Sequence, residues 1–441
     1  MTLESTGQWM PRFPHGIRSA EARGACSPER PSFGSGELMP TPPIDSSASS
    51  ATSDQSIKRC KLQCYLNKHF HKPDLEALDV ALAAYRAHYF DGCKPIWLWI
   101  VGTSGSGKTE IAIRSLDSLP YIKPVGELTA AALISAKKGQ SGLLYRLPKR
   151  INGDKNYTGI LTFKDFTSFL SMRREDRAVV IAQLREVADG RWSKDTGERG
   201  SQVWAGKVTV VAACTPALEM AWSVHRSMGD RFLTIRWRDG DDEMTANKAQ
   251  EHDGLEEEMS RIIQQLASDY MGAPLFSPPP PLESFFIEPI TKLALLSCWL
   301  RTPVHRDEYT HKIDDVGPKE KPTRMVKALR TLMCGHSALQ NRPLITTDLK
   351  LAYRIAMDSV PLKRFKIVDS MPDDTELSFG DILLSSGLAR TSLQRELDDL
   401  HEIGVLTLST RKIEDNEKTF ATLNPNFAQA RAHILGLFSE T

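Results

Sequence analysis

The chain has 441 residues, 41% of them hydrophobic and 25% charged, enough apolar material for two or three domains with real cores. Lys+Arg 56 against Asp+Glu 55 leaves a net charge of +1, so the overall charge demands neither nucleic acid nor a membrane surface as partner. No run approaches ~18 consecutive apolar residues and the N-terminus lacks a signal-peptide core, while seven thinly spread cysteines point to a reduced, cytoplasmic protein.

Residues 1–56 are rich in Ser, Pro, Gly and Thr and read as a disordered tail, with Met39 a candidate true start. Residues 57–94 read as a helical N-terminal segment, in which Pro73-Asp74 opens the run LEALDVALAAYRAHYF. Cys60-x3-Cys64 with His69, His71 and Cys93 offers zinc's preferred ligand types. The loose spacing fits buried helical cysteines better.

Residues 95–240 alternate strand and helix signals, the pattern of a parallel α/β sheet. Ile96–Val101 is an apolar strand that breaks into Gly102, Thr103, Ser104, Gly105, Ser106, Gly107, Lys108 and Thr109, a complete G-x-x-x-x-G-K-[ST] pattern. The glycines let backbone N–H groups turn inward around phosphates, Lys108 reaches the β- and γ-phosphates, and the Thr109 hydroxyl ligands Mg²⁺. The helix that follows adds the positive end of its dipole. ATP with Mg²⁺ is the expected ligand.

Downstream, GILTF (159–163) ends at Lys164-Asp165, where a carboxylate would hold Mg²⁺ in its outer shell. Glu175–Ala188 reads as a helix closed by Asp189-Gly190, KVTVVAA (207–213) as a buried strand ending in Cys214-Thr215-Pro216, and Arg231 directly precedes an apolar strand. This order of parts resembles the AAA+ ATPases. It is most similar to the clade with an inserted helix and hairpin before the first sensor strand, which includes MCM-type helicases and bacterial enhancer-binding activators. The resemblance implies a Walker B role for Asp165, a sensor role for Thr215 and an arginine finger at Arg231 that acts on a neighbouring subunit. It also implies a hairpin around Arg191–Gly197, with Lys194 at its tip, pushing on substrate in a central channel. The second-sensor arginine falls at Arg324, and a homo-oligomeric ring or partial ring follows. The sequence departs from that family at Asp165-Phe166, where the family carries Asp-Glu, and at Thr215, where it usually carries asparagine. Phe166 cannot activate water, so hydrolysis is slow or another carboxylate such as Glu186 serves.

Residues 241–370 read as a helical lid region, with acidic helical sequence over 243–275, a polyproline hinge at Ser277–Pro281, and helices at 286–301, 322–338 and 346–370. Residues 371–441 read as a winged-helix domain: a helix over Leu377–Leu384, a turn at Gly387, a second helix over Arg390–Ile403, and two strands around a charged wing. SGLARTSLQRELDDLHEIGVL resembles the winged helices of bacterial transcription regulators. That likeness implies DNA contact by Arg390, Thr391, Ser392 and Arg395, and phosphate contact by Arg411 and Lys412. Glu396, Asp398 and Asp399 weaken the electrostatic case.

The expectation is therefore an α/β P-loop NTPase (AAA+) core with a helical lid and a C-terminal winged helix-turn-helix. It would bind and hydrolyse ATP and act on DNA or a DNA-bound complex, in a phage or mobile-element setting. The alternative is a nucleotide-gated regulatory or scaffolding protein with little hydrolysis. A small-molecule kinase is disfavoured by the lid, the insertion and the winged helix.

Overall fold

The computed structural model describes residues 46–133, 142–150, 156–196, 200–220, 231–307, 309–413 and 416–439. Two helices lead into the core, α1 (Ser46–His69) and α2 (Leu75–Ala87). α1 begins at Ser46, ten residues before the end of the tail expected to be disordered. Polar anchoring supplies what its composition lacks: the Gln55 amide donates to the carbonyls of Tyr270 (2.6 Å) and Leu339 (2.8 Å), and Arg59 pairs with Asp79. Residues 1–45 lie outside the described part of the chain. α2 starts at Asp74, whose carboxylate caps the first turn by accepting from Ala77 N at 3.1 Å.

Six strands follow: β1 (Trp97–Val101), β2 (Ile122–Val125), β3 (Tyr157–Phe163), β4 (Arg191–Thr196), β5 (Gly200–Cys214) and β6 (Phe232–Arg236). Five of them form a parallel sheet in the order β2-β3-β5-β1-β6. Both faces are covered, so β1 (WLWIV) is buried at every residue rather than alternating. Leu98 and Ile100 pack toward α2 and the helix after the P-loop. Trp97 and Trp99 face the other layer, where Trp99 stacks on Phe232 at 4.1 Å.

Between β3 and β5 the chain inserts α3 (Arg174–Ala188) and β4, which pairs antiparallel with the first half of β5. Trp192 and Trp204 face each other across this hairpin, both buried, and Trp204 Nε1 donates to Leu144 O (3.2 Å). Lys194 sits on the hairpin arm opposite Gln202 rather than at the tip, because β4 continues to Thr196. Residues 197–199 lie outside the described residues.

The lid contains α4 (Asp242–Glu251), α5 (Glu256–Met271), α6 (Ser284–Leu300), a small hairpin of β7 (Val304–Arg306) and β8 (Ile313–Val316), α7 (Thr323–Leu339), α8 (Thr346–Asp358) and α9 (Leu362–Ser370). α7 lies so close to α2 that a Cβ on Gly335 would stand 2.3 Å from Ala83 O. The residue before the prolines is not a free hinge: Ser277 bonds both ways with the segment after α2, donating to Tyr89 O (3.1 Å) and accepting from Asp91 N (2.9 Å).

The C-terminal unit is β9 (Leu377–Ser378), α10 (Phe379–Ser386), α11 (Arg390–Glu402), β10 (Leu406–Ile413), β11 (Asn416–Leu423) and α12 (Pro425–Ser439), with a three-stranded sheet in the order β10-β11-β9. The helix expected from Leu377 starts two residues later. Ser378 and Asp381 form a capping box there, and Leu377 instead pairs with β11. α12 was not anticipated as an element. Leu393, Leu397 and Phe427 belong to the same core as Leu293 of α6 and Ile355 of α8, so the winged helix and the lid share one apolar interior.

Candidate nucleotide site and its surroundings

The P-loop occupies the C-terminal end of β1, between that strand and the helical turns Thr109–Ile113 and Arg114–Leu116. Gly105 and Gly107 adopt φ of 81° and 82°, conformations that an L side chain rarely takes and that turn successive amides to one side. Lys108 is 6% exposed, and its Nζ donates to Thr103 O at 2.6 Å. Burial lowers the pKa of this ammonium, and the charges of Asp239, Cys214 and Asp165 oppose that shift. Asp239, just beyond β6, also accepts from Thr103 Oγ1 at 2.8 Å. Sequence reasoning did not single it out.

Thr109 Oγ1 points at the end of β3 and donates to Lys164 O (3.4 Å). Asp165 follows that carbonyl, and its Oδ1 accepts from Thr167 N at 2.8 Å. The Thr167 hydroxyl in turn accepts from Thr215 N (2.8 Å) and Thr215 Oγ1 (3.2 Å). Asp165 and Thr215, fifty residues apart in sequence, are thus joined through Thr167, a link the linear pattern did not reveal. A hydroxyl and a carboxylate are hard oxygen donors, so Thr109 and Asp165 fit a Mg²⁺ that keeps several waters.

Phe166 points away from this site. It is 2% exposed and packs against Phe163 (5.2 Å), Phe169 (5.1 Å) and Trp99 (6.2 Å) between ring centroids. A carboxylate substituted here would enter an aromatic core and meet no attacking water. Glu186 is no replacement either: it is exposed in the last turn of α3, next to Asp189 at the far end of that helix.

Arg231 stands at the N-terminal end of β6, whereas the P-loop stands at the C-terminal end of the parallel β1. Five residues at about 3.3 Å each separate the two ends by roughly 16 Å. Arg231 Nη2 bonds Asp189 Oδ2 at 2.8 Å, at the point where α3 turns into the hairpin. Arg324 is exposed in the first turn of α7. A lid arginine that sequence reasoning missed, Arg354, is bonded to the P-loop end of the sheet: it pairs with Asp74, with Glu76 (2.7 Å) and with Arg236 O (2.9 Å).

In the winged helix, two of the three acidic residues that counted against DNA are consumed internally, while Asp398, among the described residues, accepts only from Gln394 on the same helix (3.0 Å). Glu396 and Asp399 pair with Arg364 (3.4 and 3.3 Å), and Asp399 also pairs with Arg306 (2.6 Å). Arg390, Thr391 and Arg395 are exposed, while Ser392 is half-buried. Arg411 and Lys412 lie on the exposed wing, with Arg411 bonded to Glu376 (2.8 Å).

The zinc reading finds no geometry. Cys60 and Cys64 are exposed with sulfurs 3.5 Å apart, and His69 bonds His252 at 2.8 Å. Among the described residues no group of three or more His, Cys, Asp or Glu is arranged to hold a metal ion. No described helix is long and apolar enough to cross a membrane.

No protein-family model matches the chain, and no curated protein matches it. Among solved structures, the Orc1 protein of Aeropyrum pernix in complex with DNA aligns over 83% of this chain and 92% of its own, at 16% identity and a TM-score of 0.23. The architecture described above rests on the strand order and the P-loop geometry of this chain.

Proposed function

We propose that this chain is an AAA+-type ATP-binding protein that assembles with copies of itself and acts on DNA or a DNA-bound complex. The observation that carries the reading is the P-loop's setting: Lys108, Thr109 and Asp165 converge at the C-terminal ends of β1 and β3, with Thr215 tied to Asp165 through Thr167. Lys108 and the inward-turned amides hold the phosphates, and Thr109 and Asp165 would hold Mg²⁺, which neutralises the β- and γ-oxygens when bound. Thr215 keeps the Asp165 loop in register with the sensor strand. Arg231, roughly 16 Å from its own P-loop, serves a neighbour's nucleotide, as a finger in trans must. Arg390, Thr391 and Arg395 offer a duplex an outer face from which Glu396 and Asp399 have been withdrawn.

One observation favours a second reading, a nucleotide-gated scaffold with little turnover: no carboxylate follows Asp165, and Phe166 is locked in the core. Steady-state ATP hydrolysis with and without single- and double-stranded DNA decides between them. DNA-stimulated turnover supports the motor, and ATP-dependent assembly without turnover supports the scaffold. Absence of ATP binding by calorimetry would sink both.

A further inference from the structure

At the end of the sheet away from the P-loop, a cleft of about 250 Å³ opens at the root of the inserted hairpin. Its lining includes Asp91, Arg150, Arg191, Lys207, Tyr157 and Phe276. Lys207 lies at the start of the half of β5 in the parallel sheet, one residue after Gly206, and pairs with Thr158 of β3, seven residues before Cys214 at the P-loop end. At about 3.3 Å per residue this puts it roughly 23 Å from the P-loop end of its strand. The two sites are separate.

The charge in this cleft is unbalanced. Arg150 spends one nitrogen on Asp91 (2.6 Å) and lies with its guanidinium 4.0 Å over the Phe276 ring, but its buried Nε has no hydrogen-bond partner among the described residues. The Lys207 ammonium donates to Phe90 O (2.8 Å), a neutral acceptor that leaves its charge unmatched. Arg191 adds a third cation at the mouth. Burial lowers the Lys207 pKa to about 8. Asp91 and Cys93 pull it back up, while Arg150 pushes it further down. Cations held this way against aromatic walls are suited to a compact oxyanion.

We propose that this cleft is a second ligand site, independent of the P-loop, which takes the phosphate group of a small phosphomonoester between Lys207 and Arg150. Because the lining comes from the α2–β1 connection, the segment before β3 and both arms of the hairpin, an occupant would clamp the hairpin root.

The test reads Lys207 directly. The full chain carrying Lys108→Ala, so that the P-loop contributes nothing, is labelled with ¹³C-dimethyl groups on lysine. The Lys207 resonance is identified by its loss in Lys207→Arg. Inorganic phosphate should raise the midpoint of its titration by about one pH unit, tenfold in proton affinity, because a bound dianion favours the ammonium. Chloride at equal ionic strength should not, and Arg150→Gln should weaken the apparent phosphate affinity about tenfold. A midpoint that ignores phosphate overturns the site, as does one that moves equally in chloride. A short DNA duplex that produces the shift at lower phosphate concentration than a phosphomonoester overturns the small-molecule assignment and makes the cleft part of a nucleic-acid track.

Discussion

At the C-terminal ends of β1, β3 and β5 the protein presents mainly backbone: the turned amides of Gly105 and Gly107, the carbonyls of Thr103 and Lys164, and one buried lysine folded onto them. At the N-terminal ends of β3, β5 and β6 it presents side chains brought from separate segments: Asp91, Arg150, Asp189, Lys207 and Arg231. Apart from the Lys164 carbonyl brought by β3, the first end is contiguous in sequence, and its geometry follows from eight consecutive residues. The second is assembled only when the sheet forms. On the two proposals made above, such a sheet would recognise phosphate twice, by a local motif at one end and by tertiary convergence at the other.

The sharpest way to break the comparison is at Arg231. If it serves a neighbour's nucleotide, Arg231→Ala should bind ATP normally yet lose about 10³-fold or more in hydrolysis, and an excess of it should poison wild-type activity in mixtures. Strictly additive activity in those mixtures would place a complete site within one subunit. Phe166→Glu probes the other end. The family pattern would have it restore a catalytic carboxylate, but its burial among Phe163, Phe169 and Trp99 predicts destabilisation by about 3–5 kcal/mol, read from urea unfolding, with no gain in rate.

Lys108→Ala should weaken ATP binding by about 100-fold or more in calorimetry, since charge-assisted bonds to two phosphates are lost. Its unfolding midpoint should move little, because the ammonium's bond in the structure is to a single P-loop carbonyl. At the winged helix, Arg390→Ala and Arg395→Ala should each reduce the slope of log affinity against log salt by about one, measured on duplex DNA. An unchanged slope would make this face a protein-docking surface. Point variants are a cleaner test than truncation after residue 371. Deleting the segment would uncover the core under α6 and break the bonds of Arg364 to Asp399 and of Trp299 to Ile403.

The smallest expected effect is a pH dependence at the lid. Burial alone raises the pKa of Asp74, but hydrogen bonds and charge from Arg354, with the amides of Arg238 and Ala77, bring it below its ordinary value. A carboxylate lowered in this way stabilises the fold above its unfolded value of about 3.9. That contribution is lost as pH falls through the folded value. Asp74→Asn should therefore flatten the acid limb of stability against pH, and an unchanged limb would assign it to other carboxylates such as Asp348, which His336 and Arg342 hold down in the same way.

The sequence alone was sufficient for the P-loop, the strand before it, the inserted helix and the two helices of the winged unit. Each is specified by neighbours: glycines where φ is positive, an apolar run for a strand covered on both faces, a 3.6-residue period for helices. It was also sufficient to bring Asp165 and Thr215 forward as candidates, though not to show that Thr167 joins them. Where linear order misled, a side chain's direction was at stake. Phe166 follows Asp165 in sequence but is buried in the aromatic core while Asp165 is exposed, and Glu186 lies at the wrong end of α3. Arg354, which no motif names, reaches the P-loop end of the sheet, and Glu396 and Asp399 turn inward to arginines that no local pattern names. The tertiary structure decided all of these because charge pairing and burial depend on which distant segments share a face, and spacing along one element carries no information about that.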